Sequence, residues 1–226
     1  MAKWVDSKLL IFLELGLAIF FLLGANVFGF IPVSETPFIV ALALISIRLR
    51  KVGFGWLGFR RQANWLQTIG AAAGIAIGIQ LLSTFVTEPL LTRLTGKGTD
   101  LSDFESIKGN LPLFLIYLGL IWTLAAFGEE ISYRGFILQR LAQLLGNTKS
   151  AWVVAILAHA MLFGLGHFYQ GPTGIVDTSM TALILGSAFY LSGRNLWLTV
   201  LAHGLSDTIG LVVVYLGWID WLRNMT

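Results

Sequence analysis

The chain has 226 residues, of which 56% are hydrophobic and only 12% charged, and it carries a net charge of +3. Soluble domains carry about 25% charged residues, so a water-surrounded globule is excluded, and so small a charge on so apolar a chain excludes nucleic acid as a partner. The absence of cysteine removes disulfides, thiolate metal sites, iron–sulfur clusters and a cysteine nucleophile.

A bilayer core takes ~20 apolar residues per crossing helix. Apolar segments recur at 9–31, 37–49, 64–87, 111–140, 150–169, 174–192 and 196–219. Isolated strands cannot satisfy their backbone groups in lipid, and no alternating barrel pattern is present. The expected fold is all-α: a polytopic membrane helix bundle of about seven transmembrane helices (six to eight), forming a single membrane domain over 1–226. The first segment follows Lys3 and Lys8. It is longer than the ~7–15 residues of a signal-peptide core and no small-x-small cleavage site follows it, so it reads as a retained anchor. The second is short. Between the second and third, the run GFGWLGFRRQAN at 53–64 sets Phe54, Trp56 and Phe59 beside Arg60 and Arg61, the pattern of an interfacial loop in contact with lipid. In the third, Gly70, Gly74 and Gly78 recur every four residues and would let another helix approach closely. Packing within the chain is the expectation there, and contact with a second copy the alternative. The fourth segment runs on into polar residues and is expected to bend or change character near Gly135.

Basic residues in loops give the orientation. Arg48, Arg50, Lys51, Arg60 and Arg61 cluster after the second segment without an acidic residue among them. Arg140 with Lys149, then Arg194, fall on the same side if every segment crosses once, and Lys3 and Lys8 agree. The connection 88–110 is mixed in charge. The expected protein is a multi-pass one in the cell membrane of a bacterium or archaeon, with its N-terminus cytoplasmic and its C-terminus outside.

An ionisable group deep in a bilayer costs at least ~2.5–3.5 kcal/mol. Glu14 could reach the inner interface, Arg48 can snorkel, and Asp177 lies near the outer start of its helix, where water is close. The remaining groups fall in three later helices: Glu129-Glu130-Ile-Ser-Tyr133-Arg134, Phe163-Gly-Leu-Gly-His167 and His203-Gly-Leu-Ser-Asp207. Glu130 and Arg134 are four apart with the acid first, the favourable order for a structural ion pair. Glu129 points elsewhere and is the carboxylate left for general-base work. His203 and Asp207 share a face, so the carboxylate could fix the ring's tautomer. Phe163 and His167 share another, with Gly164 and Gly166 admitting a second helix or a substrate backbone. His159 reads as packing or a backbone hydrogen bond. A shared polar site built from Glu129, His167, His203 and Asp207 is expected. Counted at 1.5 Å per residue, His203, Glu129 and His167 lie about 10, 16 and 25 Å from the inner face. One site therefore requires the fifth helix to start well inside the cytoplasm or to break near 164–166.

The ordered clusters resemble the EExxxR, FxxxH and HxxxN/D signature of the CPBP family, the CaaX proteases and bacteriocin-processing enzymes also called Abi, related to type II CaaX prenyl endopeptidases. The resemblance spans about 80 residues within a core at 111–219. It implies an intramembrane glutamic endopeptidase. Glu129 with His167 would activate a water against a peptide carbonyl, and His203 with Asp207 would hold the developing oxyanion. The implied partners are a peptide or protein substrate at the membrane and the lipid bilayer. The eukaryotic relatives have Asn where Asp207 stands, and an ionised Asp cannot donate to an oxyanion. Asp207 is then protonated, or orients His203, or the oxyanion role is reduced. HExxH, GxGD and GxSG are absent, which removes the zinc, aspartyl and rhomboid-like alternatives. No cofactor is favoured; a divalent metal such as zinc, if bound, would sit on Glu129, His167, His203 and Asp207. The competing functions are a proton-coupled transporter, against which no internal repeat is found, and a non-catalytic regulator that uses the same cavity.

Overall fold

The computed structural model describes residues 7–218, so Lys3 and the last residue of the seventh segment, 219, lie outside the described part. Among the described residues the regular structure is helical throughout. We number the principal helices α1 (Lys8–Asn26), α2 (Thr36–Leu49), α3 (Trp65–Thr95), α4 (Leu111–Leu144), α5 (Lys149–Leu165), α6 (Gly171–Leu191) and α7 (Leu196–Leu216). The first, third, fourth, sixth and seventh, the sixth counted with the 3₁₀ turn that leads into it, are long and apolar enough to cross a membrane. The other two are shorter apolar helices. This is a multi-pass helical membrane bundle, and its outer surface agrees: Leu66, Met161 and Leu191 expose 81%, 68% and 80% of their area, which only lipid would tolerate in such numbers.

Local chemistry sets the boundaries. Ser7, Asn64, Asn110, Thr148 and Asn195 each cap a helix, the side chain accepting from a first-turn amide. Gly96 and Gly217, both left-handed, end α3 and α7. The first helix stops at Asn26, short of the apolar run's end at 31, because the chain turns there and Gly29 takes a positive φ. The third runs on to Thr95, past the expected end at 87, through a π-wound stretch at Ser83–Thr87. In the fourth the change of character is larger than expected and begins earlier. It is π-wound from Ile121 to Leu138, so the widened turn carries the whole EExxxR motif. Gly135 lies within this stretch; a methyl group there would come 3.1 Å from the Leu57 carbonyl.

The centre of the bundle is α4, which packs against α2, α5 and α7. The remaining close pairings are α5 with α6 and α3 with α7. Core side chains fall into three groups. Tyr133, Phe136 and Ile137 of α4 pack with Ile11, Leu15, Ile39 and Phe163. Leu138 and Ala142 pack with Trp152, Phe189 and Val200. Ala72 and Ile79 of α3 pack with Leu185 and Ala202.

Three expectations need correction. Gly70, Gly74 and Gly78 do not mediate packing within the chain: all three are exposed, and a Cβ at any of them would meet nothing within 4 Å. The helix is held by its opposite side, through Ala72, Ala76 and Ile79, and by Gln80, whose amide donates to the Ser206 carbonyl and hydroxyl oxygens at 3.0 Å. Glu14 is turned inward. It is buried and takes a two-pronged bond from Arg50 (2.7 and 3.0 Å) with Arg140 at 3.2 Å. Arg50 and Arg140 are thus buried as well, rather than loop charges. Third, the aromatic piece 53–64 is only partly a lipid-contact loop. Phe54 is exposed, but Leu57 is fully buried, Trp56 lies 4.2 Å from the Arg140 guanidinium, and Phe59 packs on Phe127 and Trp197.

Candidate active site

The sequence around residue 129 puts two carboxylates on one widened helix, and their surroundings divide them. Glu130 is fully buried. Its Oε1 accepts from Arg134 Nη1 at 2.6 Å, four residues on, and lies 2.9 Å from His203 Nδ1 across the interface with α7. The Arg134 guanidinium also stands 4.6 Å from the centre of the Phe163 ring. Glu129 points away from this pair into a cavity, and its Oε2 is buried without a hydrogen-bond partner. Charged neighbours in its electrostatic surroundings are His203, Glu35, Asp207 and Arg134.

His203 lies between two acids. Nδ1 meets Glu130, and Nε2 is 3.4 Å from Asp207 Oδ2, four residues along the same helix. The expected His203–Asp207 pairing is present; the bond to Glu130 is additional, and it gives that carboxylate a role beyond its ion pair. A ring facing an acceptor-only carboxylate from each nitrogen is satisfied by donating from both, and an imidazole that does so carries a positive charge.

His167 is placed by the end of α5. The helix stops at Leu165, Gly166 follows as its cap, and His167 stands in the turn before the next helix, at φ −109° and ψ 29°. The break foreseen near 164–166 is where the chain makes it. His167 Nδ1 is 3.0 Å from the Phe163 carbonyl. A carbonyl only accepts, so Nδ1 carries the proton and Nε2 keeps its lone pair. The two glycines have different neighbours. A side chain at Gly164 would collide with Ser179 and the Ile175 carbonyl of α6, and one at Gly166 would come 2.8 Å from the Tyr133 hydroxyl.

Glu129, His167, His203 and Asp207 line one cavity of about 510 Å³. Its wall continues with apolar side chains of α4 and α7, including Leu120, Leu124, Leu211 and Val214. His159 is apart from it, fully buried, with its ring edge-on to Tyr133 at 6.1 Å. Asp177, expected near water at the helix start, also lines the cavity.

Sequence reasoning passed over Glu35 and Tyr133. Glu35, in the connection between α1 and α2, is buried and accepts from the Tyr133 hydroxyl at 2.7 Å and from Asn26 Nδ2 at 2.8 Å. The Tyr133 ring packs edge-on against Phe163 at 4.8 Å. The available signal was an acid between two apolar runs, which reads as an ordinary loop residue until the loop is seen to fold inward.

The donor set does not fit a zinc ion as it stands. Among the described residues no three His, Asp or Glu side chains converge as metal ligands. His203 has both nitrogens turned to carboxylates, and a ring nitrogen that donates a proton there has no lone pair for a metal.

Ionisable side chains that line a cavity in a helical membrane bundle make that cavity a candidate functional site. Residues 111–209, a little under half of the chain, match the family model of the type II CAAX prenyl endopeptidase Rce1-like proteins. Over that segment the chain is similar to the Rce1-like proteins, the resemblance its three motifs suggested. The proteins of that family are described as endopeptidases. Neither the curated proteins nor the solved structures yield a match.

Proposed function

We propose that the chain is an intramembrane endopeptidase that hydrolyses a peptide bond of a membrane-associated substrate with a water activated by Glu129 and His167. The observation that carries this reading is the unpartnered Glu129 Oε2 on the wall of the cavity that His167 and His203 share. Glu130 Oε2 is likewise without a hydrogen bond, but its Oε1 is held by Arg134 and His203; Asp207 has His203, and Glu35 has Tyr133 and Asn26.

The residues divide the work by their contacts. Glu129 takes the proton of a water, and His167 Nε2, its lone pair free, accepts from the same water and orients it toward the carbonyl. The tetrahedral intermediate places a negative charge on the former carbonyl oxygen, and His203 supplies the nearby positive charge. Glu130 and Asp207 hold the His203 ring. Asp207 acts here as an orienting acceptor, one of the three roles open to an Asp at an oxyanion position. Protonated Glu129 then returns its proton to the leaving amine. Arg134 fixes Glu130 and through it the ring. The catalytic core is assigned to 111–219, within one membrane domain, and the orientation with the N-terminus cytoplasmic follows from the basic loops.

The test compares membrane proteomes of cells carrying the native chain and Glu129→Gln. A new peptide terminus that appears only with the native chain is the expected result. Identical termini with both, from equally abundant and folded protein, would remove the endopeptidase reading.

A further inference from the structure

Asp177 is a carboxylate inside a membrane helix that has been given donors but no counter-charge. Ser83 Oγ donates to it at 2.8 Å, and Thr87 Oγ1 donates to its other oxygen. Both hydroxyls come from the π-wound stretch of α3, and such local widenings concentrate at functional sites. Hydroxyls hold and aim a carboxylate without neutralising it. Among the described residues no Lys, Arg or His forms an ion pair with Asp177. The insertion cost of an ion in lipid makes such a group a mark of a substrate or ion path whose partner has to be named.

The surroundings name its charge. Asp177 lines the cavity that Glu129 and His167 line, and no Lys or Arg side chain stands on that wall. The cations near the catalytic end are already engaged: Arg134 by Glu130, and His203 by Glu130 and Asp207. The acids Glu88, Glu129, Asp177 and Asp207 on this wall outnumber its one charged imidazole, His203, and a wall dominated by one sign attracts the opposite sign and repels its own.

We propose that Asp177 is the recognition residue for a positively charged side chain, Lys or Arg, of an otherwise apolar peptide substrate whose flanking residues occupy the lobe around Leu124, Leu211 and Val214. This rests on the endopeptidase reading and deepens it. The same wall disfavours a free C-terminal carboxylate, because its one charged imidazole, His203, is already engaged by Glu130 and Asp207. The substrate is therefore a basic, apolar segment cut at an internal bond.

The experiment uses two short apolar peptides that differ at one residue, lysine in one and glutamate in the other. Their binding to the full chain in lipid nanodiscs is measured on the Glu129→Gln background, which keeps them intact. The lysine peptide binds at least about tenfold more tightly. The gap closes when Asp177→Asn is added, a change that keeps the shape and the acceptor for Ser83. Equal affinities, binding of neither peptide, or a gap untouched by Asp177→Asn would overturn the assignment. The first comparison needs no change at Asp177, so a poorly folding variant leaves the idea exposed. Incubation with the native chain separates the two readings. Glu129-dependent cleavage without lysine preference removes the role of Asp177 alone. Selective binding of the lysine peptide without cleavage keeps the recognition site and removes the endopeptidase.

Discussion

The Tyr133 hydroxyl donates to Glu35 Oε1 at 2.7 Å and so joins the connection between α1 and α2 to the helix that carries Glu129. The pair sits behind Gly166, the residue that lets the chain turn before His167. Gly166→Ala would drive a methyl group to 2.8 Å from that hydroxyl. Overpacking of this kind costs about 1–3 kcal/mol, and the displaced turn carries His167 with it. Lower unfolding temperature in detergent together with lost cleavage is the expected outcome; Tyr133→Phe in the same chain should relieve part of the clash and restore part of the stability.

The two adjacent acids are expected to respond in opposite ways. Glu130→Ala leaves Arg134 buried without its anion and His203 without its Nδ1 partner. Removing one member of a buried pair costs about 3–5 kcal/mol, and the measurement is the unfolding midpoint in detergent. Glu129→Gln removes a carboxylate that has no counter-ion, so stability should hold or rise slightly while cleavage is lost. Equal destabilisation by both changes would contradict the division of roles.

Away from the cavity, Glu14 holds Arg50 and Arg140 in the space between α1, α2 and α4. Glu14→Ala leaves two buried guanidinium groups around an empty place, with an expected cost again of about 3–5 kcal/mol. Arg140 has further contacts with Trp56 and Ser46, so Arg140→Met should cost less than Glu14→Ala. Unfolding of the three proteins side by side in one detergent ranks them.

Glycines of α3 and α5 make a contrasting set. Gly164 is in close contact with α6, and Gly164→Ala should lower stability by about 1–3 kcal/mol. Gly74 has open space around it, and a helix-interior Gly→Ala change in such a place adds roughly 0.5–1 kcal/mol. A stability gain for Gly74→Ala is therefore expected in dilute detergent. A loss that grows with protein concentration would show instead that a second copy uses this face.

What the sequence reveals and what it hides divide along the range of the interaction. The crossing helices are visible because lipid selects long apolar runs residue by residue. The Glu130–Arg134 pair is visible because four residues along a helix fix a neighbour. The same rule places His203 beside Asp207. The bond from Glu130 to His203 is not visible, since it depends on how α4 and α7 are rotated against each other. Glu14, by its depth alone, reads as able to reach an interface, and the partners that hold it come from a helix end 36 residues on and from α4. Glu35 lies about 100 residues before Tyr133. Asp177 reads as a helix-start residue until α3 is seen to widen beside it. The glycine stripe was legible as a smooth surface but not as to which neighbour, if any, covers it.

The bond from Glu35 has a consequence for protein engineering. The segment with the family's signature is not a detachable cassette, because part of the scaffolding behind His167 is supplied from the opening third of the chain. Grafting 111–209 onto the leading helices of a relative would leave the tyrosine hydroxyl facing whatever residue that relative places at the α1–α2 bend. A chimera that retains an acid there should keep the histidine turn in register, and one with an aliphatic residue should need its tyrosine changed to phenylalanine as well.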